Sequence, residues 1–547
     1  MKINPNFDVR IYFFYLCVSF YLGMNFMHIN TGIIVPMKRL SVAMAALLLA
    51  VSCSESTSYI PEDLPERPTV PQAPDGQTNL AVGKFYTFSV EPMSGYADEY
   101  PCLDYSDGTK LTDGEVSSST DEGALGVGWR GAKSVELLLD LGHKRTIWSV
   151  KLHAIAGRVS TADFSLPAYV EVCGSADKQS WSSAVMLTFD EQTGWGIASC
   201  WLRECRYLKF TIHAPNNANE PMLFDEMEAW GEYENEMKYV PQKGAYHGAF
   251  NNSTSFKGEE GSSACPVDLY EQTVGKPISL MLWYQGATNS SRNYAEIMNI
   301  RRTYSGKNFD GNYRLFIYGW EPPYSAAELA AGAMDEYYDD YFKEVRQVQR
   351  GDDDCGPAWF RPANEMNSNW VKWGNDAPNY VKYWRRMYNI AEQVGITDYN
   401  VFVWSSNAVS FGKYEMAEYY PGDQYCDWIG TSCYFTQAIE YGYPSQLLNE
   451  TESISEHKPI MITEGGFGPA ECDNLLWVRE WFGLDVTHPR VKGVVWENHT
   501  STHDRRIQKD ADALELYKEL VQDDYWLDYV PEHVLQEMAE RKTRQNG

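Results

Sequence analysis

Two glutamates in this 547-residue chain stand where paired carboxylates could act on one bond. Glu365 lies in Trp359–Trp373, WFRPANEMNSNWVKW, a short apolar run followed by a carboxylate with tryptophans close by. Glu464 closes an apolar run in KPIMITEGG, residues 458–466. A carboxylate among aromatic faces suits acid chemistry on something that stacks, such as a sugar. Taken singly, each stretch is more often an ordinary turn. As a pair, one carboxyl held protonated and the other ionised, they could carry out double-displacement glycoside cleavage, for which retention asks a separation of about 5–5.5 Å. Different surroundings can supply the required split in pKa.

Positioning such a pair takes a scaffold, and the chain from about Gly244 onward supplies one. Eight apolar runs read as strands: Tyr246–Phe250, Ile278–Tyr284, Arg314–Trp320, Ala358–Arg361, Val401–Ser405, Trp428–Tyr434, Ile460–Glu464 and Val491–Trp496. Helical patterns lie between them, such as Met334–Arg350 and Asn379–Val394; the latter has apolar residues at 381, 384, 387, 388, 391 and 394, a 3.6-residue stripe. Strands alternating with helices predict a closed (β/α)8 barrel over 243–547, with Pro531–Lys542 packed outside. Reacting groups in such barrels stand at the C-terminal strand ends. Glu365 falls just beyond the fourth predicted strand and Glu464 closes the seventh, consistent with three βα units between them at roughly 30 residues each.

The upstream half differs in kind. Met37–Cys53, MKRLSVAMAALLLAVSC, has the anatomy of a secretory signal, and its LAVSC ending resembles a lipoprotein cleavage box that would leave Cys53 lipid-modified. Residues 1–36 sit oddly before a complete signal and read as a doubtful upstream segment, with Met37 as the expected start. Residues 54–78 carry five prolines among polar residues, an extended tether. The expected location is therefore an exported face of a bacterial membrane, the outer one by preference, with contact through the lipid anchor only. Over 79–234 short alternating runs, including Val135–Leu141, Ile147–His153, Ala168–Cys173 and Tyr207–His213, predict an all-β sandwich.

Composition narrows the partners. A formal net charge of −29 disfavours nucleic acid, whose binders need clustered Lys and Arg, and anionic polysaccharides as well. The 14% aromatic fraction suits sugar binding and a large core alike. Eleven cysteines show no paired metal-type spacing; after export Cys200 and Cys205 could pair, though nothing in the sequence demands it. His499 and His503 share a helical spacing but lie in polar, turn-like surroundings, so metal-dependent catalysis is disfavoured and no catalytic cofactor is expected.

Several segments, taken together, resemble known families. HGAF at 247–250, GWEPPY at 319–324, WFRPANEMNSNWVKWG at 359–374, VFVWSSN at 401–407, YYPGDQYCDWIGTSCY at 419–434 and KPIMITEGG at 458–466 resemble glycoside hydrolase family 26, of clan A, in family order. The resemblance implies Glu365 as general acid/base and Glu464 as nucleophile. It implies that Asn364 bonds the sugar's 2-position or orients Glu365, that Tyr434 donates to Glu464, and that Trp496 floors the central sugar site. Trp320, Trp370 and Trp404 either stack on neighbouring sugars or pack structurally, and Arg361 supports the glutamates. Family members usually carry histidine where Asn364 stands, so substrate choice is open: endo-β-1,4-mannan cleavage is favoured narrowly over β-1,3-xylan and mixed-linkage β-glucan. A surface lipoprotein that binds glycan without cutting it is the alternative. NLAVGKFYTFS at 79–89, LTDG at 111–114, GWRG at 128–131 and LPAYVEVCGSADKQSW at 166–181 resemble a discoidin-type, galactose-binding-like domain. That resemblance implies glycan binding through end loops and a structural calcium, for which Asp104, Asp107 and Asp113 are candidate ligands, although a turn-forming role suits any one of them better.

Overall fold

The structure is a computed structural model that describes residues 76–98, 103–117, 126–160, 162–215, 219–233, 236–252, 255–256, 266–286, 313–352, 355–501 and 503–546. The upstream segment, the signal with Cys53, and nearly all of the tether lie outside the described residues.

Eight parallel strands close on themselves in chain order: Ala245–Phe250, Leu280–Gly286, Leu315–Glu321, Trp359–Pro362, Val401–Asn407, Trp428–Tyr434, Ile460–Gly466 and Val491–Glu497. The first strand pairs with both the second and the eighth, which seals the ring. A short ninth strand, Trp526–Leu527, adds to the first. Each barrel strand is short and almost wholly buried because both of its faces are covered, one by helices and one by the barrel interior.

Strand side chains alternate in direction, so every second residue points inward. Tyr246, Leu280, Leu282, Leu315, Ile317, Trp359, Val401, Val403, Trp428, Met461 and Val495 make one apolar cluster. Burying each aliphatic member is worth roughly 1.5–3 kcal/mol. Val534 and Met538 of the last helix, Glu532–Asn546, join this cluster. The residues between them point outward and meet the helices. Asp335–Gly351 presents Tyr337, Tyr338, Tyr341, Phe342 and Val345, and Ala377–Val394 presents Tyr380, Trp384, Met387 and Ala391. Pro378 lies in the first turn of the second helix, and Gly395, left-handed at φ 81°, ends it.

The residues before the barrel form an eight-stranded antiparallel sheet. Its backbone is the pairing of Ser134–Ala154 with Trp195–His213, flanked by Met222–Gly231 on one side and Tyr169–Ser175 on the other. Leu137, Leu139, Val170, Val172, Leu208, Phe210, Ile212 and Met227 fill its separate core. Two expected strands, 135–141 and 147–153, are one: the ladder runs through Gly142–Thr146 by shifting register between Asp140 and Ile147. Cys200 and Cys205 are free thiols. Burial raises both, Cys200 to about 12 and Cys205 to about 11. Asp107 accepts from the Phe88 amide and Asp113 from the Glu115 amide; among the described residues no group of three or more His, Cys, Asp and Glu is placed to hold a metal ion.

The sheet domain seats on the barrel through buried polar contacts. Lys84 Nζ reaches Glu392 Oε2 at 2.5 Å and Asn389 Oδ1 at 3.0 Å, while His143 lies 3.2 Å from the other Glu392 oxygen. Burial opposes ionisation of Glu392, but Lys84 and His143 overcome it and hold the carboxyl down at about 2. Tyr233 Oη donates to the Asp423 carbonyl at 2.7 Å, and Tyr425 Oη donates to the Val82 carbonyl.

Candidate active site

At the C-terminal strand ends the barrel interior turns from apolar to polar. Phe250, Tyr284, Glu321, Asn364, Glu365, Tyr434, Glu464, Glu497, His499, Ser501 and Arg505 line one cleft. Glu365 and Glu464 therefore share a single pocket. A larger cavity of about 850 Å³ lies at the seam of the two domains, among Asn79, Tyr233, Arg385, Asp423 and His457. It contains none of the paired glutamates.

Glu365 is placed by a tight loop after the fourth strand. Both Ala363 and Glu365 take left-handed backbone conformations, φ 48° and 58°. Such conformations cost a non-glycine residue on the order of 1–3 kcal/mol and persist only where surroundings enforce them. Enforcement is visible: Ala363 N donates to the Trp320 carbonyl and Glu365 N to the Ser405 carbonyl, both at 2.9 Å. Trp373 Nε1 donates to the Asn364 carbonyl at 2.8 Å, and Tyr380 Oη donates to the Ala363 carbonyl at 3.1 Å. The Glu365 carboxylate accepts from Trp370 Nε1 at 2.9 Å and from Asn407 Nδ2 at 3.3 Å. Trp370 is 53% exposed and packs on Phe411, giving an aromatic rim beside the carboxylate.

Glu464 reaches the interior through an irregularity. Strict alternation after Met461 would point Thr463 inward and Glu464 outward. The register slips between Thr431/Ser432 and Ile462/Glu464, which aligns Glu464 with Ser432. A bulge of this kind re-aims a side chain at a site. The Glu464 carboxylate then accepts from Arg361 Nη2 and Ser432 Oγ, each at 2.7 Å to Oε1, and from Tyr284 Oη at Oε2.

Burial and the neighbouring Glu497 carboxylate push Glu464 up, against the pull of Arg505. Burial raises Glu497 too. Arg505 and the Tyr434 hydrogen bond pull Glu497 back down, so each carboxyl has partners that favour its charge. The donors on Glu464, one of them a guanidinium, favour its ionised form. Glu321, ending the third strand, is raised by burial and by Glu365 and lowered by Arg361.

The remaining expected site residues divide. Arg361, Asn364, Trp370 and Tyr434 are at the cleft or against its glutamates. Trp320, Trp404 and Trp496 are not: each is at most 1% exposed and points outward. Trp320 packs on Tyr337, Tyr338 and Tyr341, Trp404 packs on Tyr420, and Trp496 packs on Trp481 and Tyr517. Their successors Glu321, Ser405 and Glu497 take the inward positions, as the two-residue pleat requires. Tyr434 also differs from expectation: it hydrogen-bonds Glu497, and the tyrosine on Glu464 is Tyr284 of the second strand. The sequence reading missed Tyr284, Glu321, Ser432, Glu497 and Arg505; inward parity along each strand is the signal that finds most of them.

The class defined so far is a parallel (β/α)8 barrel with acidic groups gathered at its C-terminal mouth. Residues 332–456 match the model of glycosyl hydrolase family 26, a span that includes Glu365 and stops short of Glu464. A mannan endo-1,4-beta-mannosidase of Bacillus subtilis (strain 168) is 29% identical over 119 residues, 20% of this chain and 30% of the relative. The chain thus aligns with under a third of that relative's length. Among solved structures, GH26C from Muricauda sp. MAR_2010_75 is 18% identical, with a TM-score of 0.43, covering 54% of this chain and 90% of that one. A GH26 beta-mannanase from Bacteroides ovatus is also 18% identical, with a TM-score of 0.39, covering 53% and 91%.

Proposed function

We propose that this protein is a retaining glycoside hydrolase of family 26 that cleaves a β-linked polysaccharide, endo-β-1,4-mannan by preference. The observation that carries the reading is the convergence of Glu365 and Glu464 from the fourth and seventh strand ends on one cleft. Glu464, held ionised by Arg361, Ser432 and Tyr284, attacks the anomeric carbon, while Glu365 gives its proton to the departing glycosidic oxygen. Glu365 then takes a proton from water as that water displaces Glu464 from the sugar. The mannan preference draws on the mannanase relatives, and the Trp370–Phe411 rim offers the flat faces on which neighbouring sugars would stack.

Incubation with a panel of mannans, β-1,3-xylan and mixed-linkage β-glucan should release new reducing ends, fastest from mannan. Product from a xylan or glucan alone would move the substrate, and no product from any would favour a glycan-binding protein that does not cut. The sheet domain is read as a discoidin-like accessory module. The chain is read as a lipoprotein carried on Cys53, so labelled palmitate should enter the wild type and not Cys53→Ser; equal labelling would refute the anchor.

A further inference from the structure

Four polar atoms at the cleft are shut off from solvent and have no hydrogen-bond partner among the described residues: Glu497 Oε2, Arg505 Nε, His499 Nδ1 and Asn364 Oδ1. All four residues line the pocket of Glu365 and Glu464. Arg505 Nη1 lies 3.3 Å from Glu497 Oε2, and His499 Nδ1 lies 3.1 Å from Oε1. These contacts are close enough for attraction, yet they leave Oε2 and Nδ1 without a hydrogen bond. Buried polar groups are normally satisfied, and a cluster of exceptions in a pocket marks where a ligand's own polar groups belong.

The cluster is held rigidly. Tyr434 hydrogen-bonds Glu497, and the Arg505 guanidinium lies 4.2 Å over the Tyr434 ring. Arg505 Nη1 donates to Ser501 Oγ at 2.7 Å, and the His499 and Phe250 rings stand perpendicular with centroids 5.1 Å apart. The atoms offered are mixed: acceptors on Glu497 and Asn364, a donor on Arg505, and either role on His499. A sugar hydroxyl both donates and accepts and so matches such a set, whereas a carboxylate only accepts and an ammonium only donates. A sugar carboxylate would in addition meet Glu321, Glu365, Glu464 and Glu497 together.

We propose that Glu497, backed by Tyr434 and Arg505, is a substrate-binding residue that reads free ring hydroxyls of a neutral sugar in the central subsite, replacing an aromatic floor with a hydrogen-bonding wall. The inference rests on the glycoside hydrolase reading and adds to it the feature of the substrate that the site selects.

The test uses the full chain, with Glu497→Gln as the isosteric variant and Glu497→Ala beside it. Each is assayed on one mannan in its native O-acetylated form and after chemical deacetylation, since acetylation removes hydroxyl donors. The wild type should prefer the deacetylated form, and Glu497→Gln should lose about 10–100-fold in kcat/KM on it while its preference collapses toward unity. A loss of equal size on both forms, with the preference kept, would mean a merely structural role and would overturn the proposal. So would kcat/KM within about twofold of wild type on both forms. If the wild type cuts none of the mannan, xylan and β-glucan panel, the glycoside hydrolase reading falls, and calorimetry with β-1,4-mannohexaose decides the binding role. Affinity lost in Glu497→Ala supports that role; unchanged affinity, or no binding by the wild type, refutes it.

Discussion

Glu464→Ala is expected to lower kcat by at least about 10⁴-fold while leaving glycan binding in place, because on the proposed mechanism it removes the nucleophile and little of the cleft's binding surface. The roles of the two glutamates can be separated by small-anion rescue on an activated aryl glycoside. With Glu464 shortened to alanine, azide can enter from the face the carboxylate left and attack the anomeric carbon once, giving a glycosyl azide of inverted configuration. With Glu365→Ala, Glu464 still forms the covalent intermediate, and azide then intercepts it to give a retained product. Inverted azide from the Glu365 variant, or full hydrolytic activity in Glu464→Ala, would reverse or dismiss the assignment. The geometry favours it as stated. Glu464 is 4% exposed and fixed by three donors, the condition of a carboxylate kept ionised. Glu365 is half-buried at the cleft rim with an indole and an amide on its oxygens, open to leaving group and water.

The barrel was legible in the sequence because its strands are buried on both faces and read as unbroken apolar runs. The observed strand Trp428–Tyr434 has the expected limits, and the others begin or end within two residues of theirs. The site was legible only in part, and the reason is parity. At a strand's end a tryptophan draws the eye, but the pleat assigns direction by position and not by residue type. Thus Trp496 packs against Trp481 and Tyr517 outside, while the less conspicuous Glu497 enters the cleft. Parity itself fails at Glu464, where the register slip past Thr463 turns inward a residue that strict alternation would expel. No local pattern announces that slip. The exchange of Tyr434 for Tyr284 as the donor to Glu464 is likewise a matter of which strands face each other across the ring, a long-range property that appears only once the barrel closes.

Arg361 is where structure and chemistry are most tightly joined, and replacing it should damage both. The guanidinium is fully buried on the fourth strand. It donates to Ser405 Oγ at 3.0 Å, Tyr284 Oη at 3.1 Å, Ser432 Oγ at 2.9 Å and Glu464 Oε1 at 2.7 Å, linking the second, fifth, sixth and seventh strands. Burial lowers it to about 10, against the pull of Glu365, Tyr434, Glu321 and Glu497, so it stays charged near neutral pH. Arg361→Met keeps the length and leaves Glu464 buried without its cation, a change expected to cost about 3–5 kcal/mol of stability. Arg361→Lys keeps a charge but cannot reproduce a planar fork to four oxygens, so it should recover stability only in part. In either variant kcat should fall about 10²–10³-fold at neutral pH. The sign of the pH effect follows from the charge removed. Without Arg361 the Glu464 carboxyl is raised further, the nucleophile ionises later, and the acid limb of kcat/KM moves to higher pH. The lost activity should therefore return in part as pH rises, while denaturant unfolding shows the stability loss. An Arg361→Met enzyme with wild-type kcat and an unmoved acid limb would show that Glu464 does not depend on this cation.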